Sequence, residues 1–386
     1  MDTPFVYDKY VTGKNFIGRS MDCNTLGNLL SQGENIVLYE PPKSGKMSLI
    51  QQTLFNMRMA GKQFAIGEFS ALNIRDIRTF MIRFGTALLK SVSSSPEEFS
   101  NIIGTELGGT HFIFDQAKYD ETDEIIALDG DMDDNDMQSM MDLPYKVAMR
   151  KNKKINLIIN EFQNLYKTED GDKLFKAMEN SIRSAEQSDE AGFSYIFCGS
   201  MVNAMKEIFE YKKYFYKMAE HVTLSRINEK EIMDHIIRGF LSNGKVIEKE
   251  LLLGVCRLFD NNMWYINHFI STCDYLSKGY IVENTLMDAL DILLSIHKPR
   301  FLSIVNDLTT FQLSLLKAIL DGHGKFSTAE VISSYGLHSS ANVKRLKDAL
   351  LKKEIITFDD HDDPVIMDPL FKYWVTKYYF EKKAEL

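Results

Sequence analysis

Cysteine is scarce in this chain: Cys23, Cys198, Cys256 and Cys273 are the 4 present, and no two form a C-x-x-C pair. That spacing argues against a disulfide framework and against a zinc site, and it fits reduced structural thiols. No apolar run approaches membrane-spanning length, about 20 residues. The opening Met1-Asp2-Thr3-Pro4 lacks a charged-then-apolar leader pattern, so the expected location is the cytoplasm, with no membrane contact. A basic surplus is absent as well. The chain has 45 Lys and Arg against 54 Asp and Glu, a formal net charge of −9. This argues against a broad cationic face for nucleic acid and leaves room only for a local patch. Metal-ligand spacing is missing among the histidines, including His221, His235, His268 and His297, so each reads as a surface or core residue. Ser200 and the cysteines lack the base and orienting group of nucleophilic catalysis. There is no internal repeat.

What the chain does have is 386 residues, 45% of them hydrophobic and 26% charged, enough for two or three packed units. Apolar runs at Ile36–Tyr39, Phe64–Phe69, Ile155–Asn160, Phe193–Cys198 and Val222–Leu224 predict strands. Helical patterns such as Ile74–Lys90 and Leu174–Glu186 separate them. Continuous apolar strands interleaved with helices predict an α/β fold, a parallel sheet covered on both faces. Strand signals stop after Leu224. Residues 226–300 show helical periodicity only, and from about Phe301 the pattern is three helices and a short hairpin. Between 115 and 142 acids crowd together, among them Asp129, Asp131, Asp133, Asp134 and Asp136. The stretch brushes against a calcium-loop pattern without its glycine and terminal glutamate in register. It is expected to be a solvated, mobile insertion rather than a metal site.

The segment Glu40-Pro41-Pro42-Lys43-Ser44-Gly45-Lys46-Met47-Ser48-Leu49 follows a predicted strand and leads into a helical stretch, the context a phosphate loop requires. Such a loop works because backbone N–H groups converge on phosphate oxygens at a helix N-terminus. Its lysine adds charge to the outer phosphates, and a Ser/Thr hydroxyl ligates magnesium. Lys43, Ser44, Gly45 and Lys46 can supply amides and charge. Pro41 and Pro42 have no N–H to give. Glu40 stands where the first glycine belongs and would repel phosphate. Met47 stands where the hydroxyl belongs, and a thioether is a poor partner for a hard cation. Ser48 is a substitute metal contact, but one residue along a helix turns it by about 100° away from the metal.

A second half of the site should be an apolar strand ending in an acid. Ile155-Asn156-Leu157-Ile158-Ile159-Asn160-Glu161 has that form, with Asn160 in place of aspartate. An amide brings no charge to hold magnesium, although Asn160 can still contact metal-bound water. Glu161 can polarise a water as general base. Ser200, in the Gly-Ser turn after Phe193–Cys198, is the candidate that would face an outer phosphate.

Taken in order, these segments resemble the archaeal-type ATPases of the STAND/AAA+ P-loop group nearly end to end. Asn15-Phe16-Ile17-Gly18-Arg19 is similar to the family's F-x-G-R box near the adenine. Residues 36–50 match the phosphate loop, Ile158–Gln163 the D-E-F-Q strand end, and Ile196–Ser200 the G-S sensor turn. Asp368-Pro369-Leu370-Phe371 with Trp374 resembles the D-P-L-F motif that closes the winged helix. The resemblance implies a P-loop NTPase parallel sheet sandwiched by helices over residues 1–225, with the acidic insertion at about 115–142. It further implies an all-helical lid over 226–300 and a winged-helix domain over 301–386. ATP or ADP would be the ligand, touched by Gly18, Arg19 and residues 43–48, with Ser48 and Asn160 as the metal contacts and Glu161, Ser200 and Lys217 as the catalytic set. Lys217, in Phe215-Tyr216-Lys217, stands where many members have arginine, so a cation survives without the bidentate fork. The proline usual near Asn262-Met263-Trp264-Tyr265 is absent. With Glu40, Met47 and Asn160, these departures describe a site that no longer turns over.

In the C-terminal part, Leu308–Asp321, Ser327–Tyr335 and Ser339–Lys353 have helix-turn-helix spacing. The third carries Lys344, Arg345, Lys347, Lys352 and Lys353, where a DNA reader places its phosphate contacts. The wing, Thr357-Phe358-Asp359-Asp360-His361-Asp362-Asp363, would repel the backbone with four aspartates. The leading expectation is a nucleotide-responsive regulatory or scaffolding module with impaired or absent hydrolysis, an unidentified protein partner, and magnesium disfavoured. One alternative is an active ATPase relying on Lys46 and Glu161. The other is a winged-helix DNA-binding regulator. Oligomerisation is left open.

Overall fold

A computed structural model describes residues 4–188, 192–359 and 361–381. The chain divides into two compact units, one built from residues 20–40 and 53–224, the other from 1–19, 41–52 and 225–386.

The first unit holds strands β1 (Ile36–Tyr39), β2 (Phe64–Ser70), β3 (Phe112–Ile113), β4 (Ala127–Leu128), β5 (Lys154–Asn160), β6 (Phe193–Gly199) and β7 (Glu220–His221). Five of them form one parallel sheet in the order β2-β5-β6-β1-β7. β1 and β6 are buried along their whole length, which is why they read as unbroken apolar runs rather than alternating ones. Register pairs Tyr39 with Gly199, Ile159 with Phe197 and Ser70 with Asn160. The carboxyl ends of β1, β5 and β6 thus share one edge, where open α/β sheets bind their ligands. Gly67 is needed for close packing: a Cβ there would lie 2.5 Å from Leu157 Cδ1 and 2.9 Å from the Ala87 carbonyl oxygen. Beneath the β5 and β6 ends, Phe162, Phe197 and Phe215 pack with centroids 4.6 and 5.0 Å apart in succession.

Two expectations differ from what is found here. The last strand is Glu220–His221 rather than Val222–Leu224. The apolar Val222 and Leu224 made that stretch look strand-like, but the ladder is set by pairing of Ile36 and Val37 with Glu220 and His221. The acid-rich segment is also not a mobile insertion. It contains the helix Gln116–Thr122, the antiparallel β3–β4 pair and the start of the helix Asp134–Lys151. Ile125 and Ile126 are fully buried. Asp133 and Asp136 form a capping box, each side chain accepting from the other's backbone N–H.

The second unit is mostly helical. Helices Glu229–Ser242, Lys249–Leu258, Met263–Leu276 and Glu283–Asn306 surround a core that includes Phe240, Phe259 and Phe269. Phe5 wedges into it, and a Cβ on Gly239 would meet its ring at 2.4 Å. A short parallel pair, β8 (Val246–Ile247) with β9 (Tyr280–Ile281), lies where only helical periodicity was read, because two residues are too few to show an alternation. Then come Thr310–Leu320, Ala329–Ser334 and Ser340–Lys352, the antiparallel β10 (Ile356–Phe358) and β11 (Pro364–Ile366), and the helix Pro369–Trp374. This is the helix, helix, helix, hairpin order that the sequence predicts. Asp360 lies outside the described residues. Among the described residues, no helix is long and apolar enough to cross a membrane.

Candidate functional site

The phosphate loop, residues 41–48, belongs to the second unit and opens the helix Lys46–Met59. Its shape comes from two left-handed residues, Lys43 at φ +68° and Gly45 at φ +98°. The second suits glycine and the first does not. Ser44 N–H donates to the Pro41 carbonyl at 3.4 Å, closing a turn, and Lys46 Nζ donates to the same oxygen at 3.0 Å. The Ser44 hydroxyl is buried and has no hydrogen-bond partner among the described residues. Leu49 N–H makes the helical bond to the Gly45 carbonyl. The N–H groups ahead of it have no intrahelical acceptor, as at every helix start.

Gly18 and Arg19 both have positive φ, +62° and +56°. A Cβ on Gly18 would press on Ile227 at 3.0 Å and Glu231 at 3.1 Å, so glycine lets this segment lie against the Glu229–Ser242 helix. Arg19 bridges two carbonyls, donating from Nε to Ser225 at 2.9 Å and from Nη1 to Ser44 at 2.8 Å. Its guanidinium lies over Gly45, where a Cβ would be 2.9 Å from Nη1. Ser48 Oγ accepts the Val11 N–H at 3.1 Å, and Gln52 Oε1 accepts the Gly13 N–H at 2.6 Å. Ser48 and Gln52 together therefore pin residues 11–13 to the first turns of the helix.

Lys43 carries the contact that sequence reasoning missed. Its ammonium sits 3.5 Å from the centre of the Trp264 ring and 5.3 Å from that of Tyr265. Burial, then the Arg300 guanidinium, push Lys43 down to about 8, and Asp368 opposes them. The electron-rich ring face acts in the same sense as Asp368, since it favours the charged amine. Trp264 has Tyr7, His268 and His297 around its edges, at 5.9, 5.3 and 5.9 Å. Burial and the Lys43 charge lower both histidines, His297 to about 4, so both are neutral at physiological pH. Tyr265 OH donates to Asp368 at 2.9 Å, and Arg300 Nη2 donates to Asp368 at 2.5 Å. Asp368 also caps the final helix, accepting from Leu370 and Phe371 N–H at 3.0 Å each. A cavity of about 180 Å³ lies alongside, walled by Pro41, Pro42, Tyr265, Arg300 and Asp368 among others. Asn262 is the N-cap of the Met263–Leu276 helix, its side chain accepting from Trp264 and Tyr265 N–H.

In the first unit, Glu161 stands just past β5 at φ +56°. Its carboxylate accepts the Ser200 hydroxyl at 2.6 Å and the Gln163 amide at 2.7 Å. The structure thus brings Glu161 and Ser200 together. Asn160 donates its side-chain amide to Glu68 at 2.9 Å. Lys217 is exposed, at φ +61°, with its amine 5.5 Å from the Tyr216 ring centre. Glu40 accepts the Leu224 N–H at 3.3 Å, so its carboxylate holds the segment that follows β7.

A nucleotide's phosphates fit the loop in part. Lys46, the first-turn amides and the unpartnered Ser44 hydroxyl are suitable donors. Magnesium does not fit. In the loop, Met47 offers no oxygen and Ser48 Oγ already accepts the Val11 N–H; in the other unit, taken by itself, Asn160 donates to Glu68 and has no charge to give. On the winged helix, Lys347 lies 4.2 Å over the Phe358 ring and Lys353 pairs with Asp307, while Lys344, Arg345 and Lys352 are exposed.

Comparison with known proteins agrees with this architecture. Residues 299–377 match the family model described as a probable winged helix domain. No curated protein matches the chain. Among solved structures, the chain is similar to the Walker-type ATPase of Pyrococcus abyssi, at TM-score 0.66 and 14% identity, covering 97% of this chain and 99% of that one. It is also similar to the ORC2 protein of Aeropyrum pernix in its ADPNP–ADP complexes, at TM-score 0.60 and 11% identity, covering 99% and 98%. The Cdc6p of Pyrobaculum aerophilum follows at TM-score 0.50 and 11% identity, covering 99% and 98%. A parallel sheet with its phosphate loop after β1, a helical segment and a winged helix in that order give this chain the fold of those Walker-type ATPase and ORC2 structures, with a C-terminal winged helix domain.

Proposed function

We propose that the chain is a regulatory module that binds ATP or ADP at residues 43–48 through their phosphates, without relying on magnesium, and hydrolyses ATP poorly or not at all. The carrying observation is the state of the one hydroxyl that could replace the missing metal ligand: Ser48 Oγ accepts the Val11 N–H at 3.1 Å. Lys46 supplies charge and Ser44 and Gly45 supply donors, with Arg19 as the second cation at the loop. The nucleotide complexes of the Aeropyrum pernix ORC2 structure support ATP or ADP as the ligand class. Gly18 serves the adenine side, as the F-x-G-R box implies.

Calorimetry with ATP and with ADP, each with and without magnesium, tests this reading. Binding that changes less than about threefold on adding EDTA, and is lost in Lys46→Ala, is the expected result. No heat at millimolar nucleotide would refute it, as would strict dependence on magnesium. A slow ATPase is the second reading, favoured by the survival of Glu161 with its two orienting donors. In that case turnover is measurable and Glu161→Gln removes it. Loss of a positioned general base ordinarily costs about 10²–10⁴ in rate.

A further inference from the structure

We propose that Lys43 and Trp264 form a latch that holds the phosphate loop closed, and that a polyphosphate ligand must open it in order to bind. This inference takes its ligand from the nucleotide reading above. Three cations fix the loop as it stands. Lys46 is folded onto the Pro41 carbonyl at 3.0 Å, Arg19 lies over Gly45 while bonded to Ser44 at 2.8 Å, and Lys43 sits on the indole face at 3.5 Å. To meet a phosphate, Lys46 must leave Pro41 and Arg19 must leave the space above Gly45. Both moves change the turn in which Lys43 is held.

The turn itself is strained. A lysine at φ +68° persists only where its surroundings compensate. The compensating contact is the ring, because Asp368 is already committed to Arg300 and Tyr265. Arg300, a like charge, repels the amine, and the neutral His268 and His297 offer it no charge. The cavity beside Pro41 and Pro42 gives the loop room to move without displacing core side chains. The latch also lies next in sequence to Tyr265, which bonds to the cap of the winged helix domain's last helix.

The experiment uses the full chain, inorganic triphosphate and ATP as probes, and the variants Lys43→Met and Lys43→Arg. Methionine keeps the reach and removes the charge, whereas arginine keeps a cation for the ring. Loss of a loop cation would ordinarily weaken anion binding. The latch predicts the opposite: triphosphate binds roughly two- to thirty-fold tighter to Lys43→Met, the span set by breaking one cation–π contact. Weaker or unchanged binding in Lys43→Met, with the wild type binding measurably, overturns the proposal. If calorimetry finds no binding to either protein, the nucleotide reading has failed and the latch is judged without ligand. Acrylamide then should quench tryptophan emission more strongly in Lys43→Met than in wild type or Lys43→Arg. Equal quenching in all three proteins overturns the latch itself.

Discussion

Asp368→Ala should be among the most destabilising single changes in the helical unit. Its carboxylate serves three kinds of partner. It caps the Pro369–Trp374 helix through two N–H groups at 3.0 Å, accepts the Tyr265 hydroxyl at 2.9 Å, and pairs with Arg300 at 2.5 Å. Loss of an N-cap costs about 0.5–2 kcal/mol. A buried hydroxyl left without its acceptor costs about 1–3 kcal/mol. Tyr265 is 2% exposed, so water cannot readily replace Asp368. The ion pair adds little, about 0–1 kcal/mol, because the Arg300 side chain is 45% exposed. These contributions share one residue and do not simply add, so the whole should fall near 2–5 kcal/mol. Urea unfolding followed by far-UV circular dichroism reads it directly. Asp368→Asn separates the contributions: asparagine caps well and can accept from Tyr265, so it should lose less than half as much. A loss below about 1 kcal/mol in Asp368→Ala would refute the assignment of Asp368 as the hub. So would equal losses in the two variants, since that would place the whole effect in the charge.

Three further outcomes are expected. Gly67→Ala should cost about 1–3 kcal/mol, because its methyl would overlap Leu157 Cδ1 and the Ala87 carbonyl, and a drop in melting temperature measures it. His111 is raised by its hydrogen bond to Asp136, then by that carboxylate's charge. Its share of stability is therefore full below pH 6.5 and lost as pH rises through the shifted value, and a titration of the imidazole by NMR should show that shift disappear in Asp136→Asn. Met47→Thr with Asn160→Asp restores a hydroxyl and an acid, and should make nucleotide binding at least tenfold stronger with magnesium than with EDTA, by calorimetry. No magnesium response would mean that the missing ligands are not what sets metal independence.

Legibility in the sequence followed burial. β1, β5 and β6 were readable because strands covered on both faces are mostly apolar, with Asn156 and Ser194 as buried polar interruptions in β5 and β6. Glu161 was readable as a strand-end acid, and Ser200 as the turn after the next strand. Their hydrogen bond was not, because it depends on β6 lying beside β5 in the sheet. The acid-rich segment misled in the other direction. Asp133 and Asp136 look solvent-seeking by composition, yet Asp136 is 0% exposed because it is spent on the backbone of Asp133 and on His111. Asp133, followed three residues later by Asp136, carried a capping signal that a charge count hides. Lys43 gave no signal at all. Nothing in Pro41-Pro42-Lys43-Ser44 announces a left-handed lysine, and its aromatic partner lies far along the chain.

That lysine bears on how, under the proposed function, a site lacking magnesium ligands would respond to nucleotide. Phosphate charge has to be met by something, and on that reading, with no oxygen at position 47, the loop's own cations rather than a metal are the main counter-charge. The loop region instead supplies Arg19 and Lys46, with Lys43 held on Trp264 beside them. Arg19 and Lys46 are bonded to the loop's own carbonyls, and Lys43 rests on Trp264. Binding would then exchange internal contacts of the loop for contacts with the ligand, so affinity depends on how easily those internal contacts are given up. A protein working this way needs no hydrolysis to be switched. Ligand concentration, or a partner that takes hold of Trp264, would set the state of the loop by mass action. The corresponding prediction concerns ATP against ADP. With cations rather than magnesium as the counter-charge, the two nucleotides should differ by the electrostatics of one phosphate alone, and the difference should shrink as salt rises from 0.05 to about 0.5 M. Calorimetry across that range tests it, and a preference that salt leaves unchanged would contradict a purely cationic recognition of the phosphates.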